Sequence, residues 1–140
     1  MNLTLKYTFL AVDDHEKALP FYRDVLGFEV HNDVGYQEMR WITLGLPSQP
    51  GIELVLEPPG VEASPEDKDA IKALMAKGVF GWLVFSTDDV DATFEAVRTS
   101  GAEIIQEPMD QPHGVRDCAF RDPAGNQVRF SQAKGQVTIR

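Results

Sequence analysis

The order of apolar and polar positions in the second half of the chain repeats that of the first half. In the first half an apolar run closes at Val12, acidic residues follow, and a helical stretch ends at Gly27; the corresponding points in the second half are Thr87 and Gly101. The two glycines lie 74 residues apart. A solenoid needs at least three short repeats, so one long repeat predicts two modules. Two modules of one design predict a concavity between them, which is a common place for a ligand.

The spacing of apolar residues predicts a β-α-β-β-β order in the first module. Residues 3–12 form a predicted strand, and an aspartate at position 13 or 14 caps a helix that ends at Gly27. Pro20 fits this helix poorly, because proline lacks the amide donor and crowds the preceding turn. The helix face predicted to be buried consists of Ala18, Phe21, Tyr22, Val25 and Leu26. Three strands follow at residues 28–32, 36–46 and 51–57, with turn chemistry at residues 33–35 and 47–50.

A connector and a second β-α-β-β-β module are predicted after residue 57. The sequence Ser64-Pro65-Glu66-Asp67 is typical of a helix start, and that helix runs to about Ala76 before Gly78 ends it. One of its faces is apolar and is predicted to form an interface or a lid: Ile71, Leu74 and Met75. The second module is predicted as a strand at 79–87, a helix at 89–100, and strands at 103–107, 115–121 and 127–132. The residues that its helix is predicted to bury are Ala92, Phe94, Ala96 and Val97.

The composition indicates one domain with its own core, since 43% of its 140 residues are hydrophobic and 25% are charged. We expect a module at 1–57, a connector with a short helix at 58–78, a module at 79–133 and a tail at 134–140. The formal net charge of -9, with no basic stripe, disfavours a nucleic-acid partner. No apolar run is long enough to span a membrane, and residues 1–6 lack the basic and apolar regions of a secretory signal. The single cysteine, Cys118, fits a reducing compartment, so we expect a cytoplasmic protein with a buried, unreactive thiol.

Three motifs together resemble the vicinal oxygen chelate superfamily, which includes glyoxalase I, bleomycin-resistance proteins and extradiol dioxygenases. They are FYRDVLGF at residues 21–28, GIELVL at 51–56 and DPAGNQVRF at 122–130. The resemblance covers nearly the whole chain in the right order. It implies an α+β fold of two tandem βαβββ modules whose curved mixed sheets surround a cleft, the glyoxalase/bleomycin resistance/dihydroxybiphenyl dioxygenase fold. It also implies a homodimer.

The resemblance further implies where metal-dependent relatives place their four ligands. The matching positions in this sequence are Tyr7, Glu53, Trp82 and Arg129. Among these side chains Glu53 is a suitable ligand for a divalent cation, whereas a guanidinium has no lone pair to offer and repels the ion. We therefore expect that this chain has lost the metal site and uses no cofactor.

The same four positions carry two interpretations each. Strand alternation directs Glu53 and Arg129 toward the cleft, where they form a salt bridge with each other or leave Arg129 to bind an anionic or carbonyl-bearing ligand. Tyr7 and Trp82 either stack on a planar ligand or fill the volume that the metal vacated. Trp41 is a weaker candidate, for which packing in the core is favoured.

Two residues of the loop and strand near 113 complete the candidate set. His113 lies in a loop before a strand, where a histidine acts as an acid or base if it points inward and is otherwise a solvated surface group. Arg116 resembles a position near the cleft rim, and it contacts ligand or pairs with Asp117 or Glu38. The other two histidines have no supporting context.

These residues favour a metal-free binding protein for a small planar or anionic molecule, as in bleomycin-resistance sequestration. One alternative is a metal-dependent lyase or dioxygenase of the glyoxalase type, and another is a metal-independent enzyme in which Glu53 or His113 moves a proton. The expected partners are a small-molecule ligand and a second copy of the chain, and no residue is assigned a catalytic role. The candidate ligand-binding residues are Tyr7, Glu53, Trp82, Arg129, Trp41, His113 and Arg116.

Overall fold

The computed structural model describes residues 1–37 and 39–134. These residues divide into two compact units, one within Met1–Ala73 and the other within Leu74–Arg140. The last six residues of the predicted tail lie outside the described part. In the described part, no helix is both long enough and apolar enough to cross a membrane.

The first unit contains a four-stranded mixed sheet in the order β1-β4-β3-β2. Strand β1 pairs in parallel with β4, and the other neighbours are antiparallel. A π-helical turn, Pro20–Val25, continues the first helix. The regular elements are β1 (Tyr7–Ala11), α1 (His15–Leu19), β2 (Glu29–Tyr36), β3 (Met39–Gly45) and β4 (Glu53–Glu57).

The second unit repeats this arrangement with the strand order β5-β8-β7-β6. Again the first and last strands of the module pair in parallel. The helix α2 (Pro65–Ala76) precedes it in sequence, as predicted, and Gly78 follows with a φ of +73°. The elements are β5 (Trp82–Ser86), α3 (Val90–Thr99), β6 (Glu103–Asp110), β7 (Val115–Arg121) and β8 (Gln127–Ala133). The predicted α+β fold of two tandem βαβββ modules is therefore confirmed.

Alternation of side chains along the strands directs one face of each sheet toward its core, and β3, β4 and β7 also bury residues on the opposite face. The buried residues of the first sheet and its helix include Leu10, Ile42, Leu44, Leu54, Leu56, Ala18, Leu19, Phe21 and Tyr22. In the second unit α3 packs on the sheet, with the rings of Phe94 and Phe120 5.2 Å apart between centroids. Val97 is buried there as predicted, whereas Ala92 and Ala96 are exposed.

Pro20 changes the helix that the sequence predicted. The amide of Leu26 donates to the carbonyl of Phe21, five residues earlier, at 3.1 Å. This wide turn relieves the crowding that a proline ring imposes on the turn before it. It also shifts the phase of the helix, so Leu19 is buried and Val25 and Leu26 are only half-buried.

The predicted turn at residues 33–35 is wrong, because β2 continues through these residues to Tyr36. The chain reverses after it, at Gln37, which has a φ of +56°. Asp33 remains in the strand because the guanidinium of Arg40 on β3 donates two hydrogen bonds to its carboxylate, at 2.8 and 2.7 Å. A β-bulge lies between Val30 and Asn32.

Candidate functional site

The sheet face opposite the core of the first unit carries exposed aromatic and apolar side chains. We call it the aromatic face; it consists of Tyr7, Phe9, Val34, Met39 and Trp41 together with Glu53. Phe9 is 54% exposed and Trp41 is 41% exposed. The Tyr7 and Trp41 rings meet edge to face, with their centroids 5.8 Å apart and their planes at 84°. The structure therefore brings these two candidates together, and Trp41 does not lie in the core.

Glu53 lies beside Tyr7 because β1 and β4 are parallel neighbours and these two residues are register partners. Its Oε1 accepts a hydrogen bond from Nδ1 of His31 at 2.9 Å. Its Oε2 is buried. Hydrogen bonds from His31 and from the Thr43 hydroxyl lower the pKa of Glu53, and the Lys6 charge lowers it further against the opposing effect of burial. An ionised carboxylate accepts only, so Nδ1 of His31 is the donor.

His31 is a site residue that the sequence analysis missed. It lies at the β-bulge of β2, where the regular alternation of faces breaks, so strand parity gives no signal for it. Gly45 on β3 leaves the room for its ring: a Cβ at position 45 would lie 2.5 Å from Cε1 of His31. The sequence does contain a signal for this site, namely a histidine on one strand opposite a glycine on the next. It can be recognised only when the register of the two strands is known.

Lys6 and Asn32 add polar groups around the aromatic face. The Nζ of Lys6 lies 5.1 Å from the centroid of the Tyr7 ring, which is the geometry of a cation–π contact. Asn32 donates from Nδ2 to the hydroxyl of Thr43 at 2.9 Å. Thr43 is fully buried. The aromatic face therefore combines flat apolar surface with a hydrogen-bonded carboxylate.

The second unit presents a comparable face, which we call the arginine face: Trp82 and Val84 of β5, with Arg129 and Gln127 of β8. Trp82 is 66% exposed and Val84 is 56% exposed. Parallel pairing places Trp82 beside Gln127 and Val84 beside Arg129. As strand parity predicted, Arg129 alternates with buried residues, since Val128 and Phe130 lie in the core.

Arg129 is held by a polar network within its own unit. Its Nη1 donates to Oδ2 of Asp117 and to Oε1 of Gln106, each at 3.0 Å. Gln127 accepts longer hydrogen bonds from Nε and Nη2, at 3.4 and 3.3 Å. Burial raises the pKa of Asp117, but hydrogen bonds from Gln111, Gln106 and Arg129 outweigh it and hold this pKa below its usual range.

Glu53 and Arg129 each have a charged or polar partner within their own unit. Glu53 pairs with His31 in the first unit, and Arg129 pairs with Asp117 in the second. Each charge is thereby compensated close to its own strand, which limits the cost of taking it out of water.

The remaining candidates lie away from these two faces or serve the fold. Arg116 donates to the carboxylate of Asp91 at 3.0 and 2.9 Å and to Asp110 at 3.3 Å, rather than to the predicted Asp117. The other predicted partner, Glu38, lies outside the described residues. His113 is exposed in the turn between β6 and β7. Cys118 is fully buried, as predicted.

The four positions that resemble the metal ligands of the superfamily do not fit a metal centre. An indole and a guanidinium offer no lone pair, and the Arg129 guanidinium is already bonded to Asp117. In residues 1–37 and 39–134, no group of three or more His, Cys, Asp or Glu side chains is placed to hold a metal ion. We therefore derive no chemistry through a metal at these positions.

Known proteins resemble the chain along most of its length. Residues 4–130 match the family model described as the Glyoxalase/Bleomycin resistance protein/Dioxygenase superfamily. The crystal structure of UcmS2 is 35% identical, with a TM-score of 0.84 over 94% of this chain and 98% of UcmS2. TnmS3, an antibiotic binding protein from Streptomyces sp. CB03234, is 25% identical, with a TM-score of 0.72 over 94% of this chain and 97% of TnmS3. A probable lactoylglutathione lyase from Synechocystis sp. is 24% identical over 94% of this chain and 97% of that protein.

Proposed function

The chain belongs to the Glyoxalase/Bleomycin resistance protein/Dioxygenase superfamily, and we propose that it acts there as a binding protein for a small planar molecule, held without a metal ion. The observation that carries this proposal is the aromatic face: the exposed Trp41 ring meets the half-buried Tyr7 ring edge to face, and Glu53 is the register partner of Tyr7. The likeness to TnmS3 supports a small-molecule ligand.

Flat aromatic side chains suit such a ligand because they offer a large contact area for little loss of conformational entropy. Trp41 and Tyr7 each present part of a ring to solvent, and Phe9 extends the apolar surface along β1. Exposed patches of this kind on otherwise polar surfaces commonly mark a binding site.

Taken by itself, the arginine face of the second unit suits an anionic or carbonyl-bearing group. The hydrogen bonds to Asp117, Gln106 and Gln127 fix the Arg129 guanidinium in one orientation, so little side-chain freedom remains to be lost on binding. Trp82, which is 66% exposed, supplies an aromatic ring on the neighbouring strand.

Quenching of tryptophan fluorescence by 2-methoxyanthraquinone, a neutral planar quinone, tests the proposal. The two tryptophans separate the two faces: a Trp82→Phe variant retains Trp41 as reporter of the aromatic face, and a Trp41→Phe variant retains Trp82. We expect saturable quenching in both. Tyr7→Leu should raise the dissociation constant measured at Trp41 by about 3- to 10-fold, the effect of losing one aromatic contact.

Phe80→Leu is the matched control, because Phe80 is a 44% exposed aromatic residue outside both faces. Its affinity for the quinone should equal that of the parent protein. Absence of quenching at Trp41, or an equal loss of affinity in Tyr7→Leu and Phe80→Leu, contradicts the proposed site.

We also propose that the protein is a homodimer in the cytoplasm. Exposed apolar residues outside the two faces, such as Val79 at 67% exposure, support a second copy as partner, and the single cysteine supports a reducing compartment. Light scattering should then give a mass of about twice 15.6 kDa. A mass of one chain at the concentrations used for binding contradicts the dimer.

A further inference from the structure

The Arg129 guanidinium of the arginine face is bonded firmly at one end and weakly at the other. At the first end Nη1 donates to Oδ2 of Asp117 and to Oε1 of Gln106, each at 3.0 Å. At the other end Nε and Nη2 both donate to one neutral oxygen, Oε1 of Gln127, at 3.4 and 3.3 Å. A guanidinium bonded to a charged acceptor gives distances of about 2.7–2.9 Å. The Nε–Nη2 edge is therefore a pair of strong donors that share one weak acceptor.

This edge has the geometry that binds a carboxylate. The Nε–H and Nη2–H bonds are parallel, and their spacing matches the two oxygens of a carboxylate, which makes that pairing stronger than a shared bond to an amide. Asp117 and Gln106 hold Nη1, so the edge keeps its orientation when Gln127 turns away. Gln127 is only half-buried, and its register partner Trp82 is 66% exposed, so its amide has solvent to turn into.

The charges around Arg129 permit an anion at this edge. The carboxylate of Asp117 contacts the guanidinium through Nη1, at the end away from the edge, and Gln127 brings no charge to it. The register partner of Gln127 on β7 is Arg121, whose Nε lies 3.1 Å from Oε2 of Glu103. An incoming carboxylate thus meets the guanidinium directly and Asp117 only across it, whereas a cationic group would be repelled by Arg129.

The apolar side chains beside the edge indicate what the rest of the ligand is. Trp82 and Val84 of β5 are 66% and 56% exposed, and they share the arginine face because they are the register partners of Gln127 and Arg129. Diagonal neighbours on adjacent strands lie about 7–8 Å apart. A carboxylate attached directly to a fused aromatic ring spans the distance from Arg129 to the Trp82 indole.

We propose that the arginine face binds a planar aromatic carboxylate. Its two oxygens accept hydrogen bonds from Nε and Nη2 of Arg129 in place of Gln127, and its ring system contacts Trp82. Asp117 and Gln106 stay bonded to Nη1 throughout. This inference rests on the proposed binding function and specifies the class of ligand for the face of the second unit.

Two probes that differ in one group test the inference. Anthraquinone-2-carboxylate and anthraquinone-2-carboxamide share one ring system and nearly one shape, and at about pH 7 the carboxylic acid is ionised. In the Trp41→Phe protein, Trp82 is the remaining tryptophan and reports binding by its quenching. The carboxylate should bind about 10- to 100-fold more tightly than the carboxamide, as expected for hydrogen bonds between charged groups.

Arg129→Lys keeps a positive charge beside Asp117 but removes the pair of parallel donors. The preference for the carboxylate probe should fall to less than about 3-fold, since an ammonium group offers no matching edge. Arg98→Lys is the matched control: it makes the same substitution on α3, where Arg98 pairs with Glu95 outside the arginine face. It should keep the full preference.

Two substitutions of Gln127 test its displacement. Gln127→Glu supplies a carboxylate of the chain's own to the Nε–Nη2 edge, so the carboxylate probe should bind at least about 10-fold more weakly while the carboxamide changes by less than about 3-fold. Gln127→Ala leaves the edge without a competitor, and the carboxylate probe should then bind about 3-fold more tightly.

The outcomes separate this inference from the proposed function. Equal affinity of the two probes at Trp82 overturns the carboxylate class and leaves planar-ligand binding standing. Binding of neither probe at Trp82, with 2-methoxyanthraquinone still bound at Trp41 in the Trp82→Phe protein, overturns this inference alone. Absence of quinone binding at both tryptophans overturns the proposed function as well.

The variants decide which group carries the preference. A preference for the carboxylate that survives Arg129→Lys, or that Arg98→Lys reduces equally, overturns the assignment to the guanidinium edge. Unchanged binding of the carboxylate in Gln127→Glu, or weaker binding in Gln127→Ala, overturns the displacement of Gln127.

Discussion

Cys118 and Asp117 are neighbours on β7 with opposite surroundings, because successive side chains of a strand point to opposite faces. Asp117 lies among the glutamines and Arg129 of the polar network. The Cys118 thiol lies in the core, where burial, followed by the charge of Asp117, raises its pKa to about 11. Strand alternation thus decides that one residue serves a polar network and the next is a packing residue.

The high pKa of Cys118 predicts a thiol that does not react in the folded protein. At about pH 8 only ~0.1% of such a thiol is thiolate, and the core excludes the reagent as well. Ellman's reagent should therefore label native protein only as fast as the protein opens, and should label it rapidly in urea. Stoichiometric labelling within minutes, with an unchanged circular dichroism spectrum, contradicts the buried position.

At the scale of elements, the bounds of strands and helices were predicted best where they depend on local sequence alone. The β7 strand has the predicted bounds, and α2 runs from Pro65, directly after the predicted cap Ser64, to the predicted end at Ala76. The predicted turn at 33–35 failed because Arg40, on the facing strand, satisfies Asp33 inside a strand. The phase of the first helix failed at Pro20, since a wide turn changes which residues face the core. Neither the Arg40–Asp33 contact nor the wide turn at Pro20 can be deduced from the spacing of apolar residues.

The turn that joins β7 to β8 depends on a glycine, Gly125. Asp122 accepts hydrogen bonds from the amides of Ala124 and Asn126 at 2.9 and 2.8 Å, and Gly125 has a φ of +92°. A Cβ on Gly125 would lie 2.6 Å from the carbonyl oxygen of Met75, at the end of α2. The turn therefore needs glycine for its backbone conformation and also for the close approach of α2.

Gly125→Ala should destabilise the protein by about 2–4 kcal/mol, combining backbone strain with the clash. Gly101→Ala is the matched control, because Gly101 has a φ of +89° but a Cβ there meets nothing within 4 Å. It should cost only about 1 kcal/mol. Urea denaturation followed by circular dichroism measures both values. Equal losses in the two variants contradict the clash with α2.

At the scale of the whole molecule, the two units repeat an ion-pair arrangement as well as a fold. Arg40 of β3 bonds to Asp33 of β2 and to Glu16 of α1. In the second unit Arg116 of β7 bonds to Asp110 of β6 and to Asp91 of α3. Glu16 and Asp91 each lie in the first turn of their helix, where a negative charge is favourable.

The sequence analysis named Arg116 as a ligand or ion-pair residue from its resemblance to a position near the cleft rim, and it did not find the repeated ion pairs. The two arginines lie 76 residues apart, whereas the glycines that revealed the repeat lie 74 apart, so Arg40 did not stand out as its counterpart. The modules followed from periodicity and motif, and so did Tyr7 and Glu53 of the aromatic face, whereas Trp41 was favoured as a core residue. The partners of Arg116, Glu53 and Arg129 did not, because they depend on strand register and on a bulge.

If the two arginines have equivalent structural roles, their removal should have equivalent effects. Arg40→Met and Arg116→Met keep the aliphatic stem but lose the ion pairs, and each should lower Tm by about 2 °C, the small effect expected of solvated pairs. The double variant should lower Tm by about the sum of the two effects, because the pairs share no residue.

The arginines lower the pKa of Asp33 and Asp91. The stability that these ion pairs contribute is therefore present above the ordinary aspartate pKa of about 4 and disappears as the pH falls through the lower pKa values of the folded protein. Differential scanning calorimetry at neutral and acid pH measures it, and a parallel titration with 2-methoxyanthraquinone should show unchanged affinity. A loss of quinone affinity in Arg116→Met at unchanged Tm would instead return Arg116 to the ligand site.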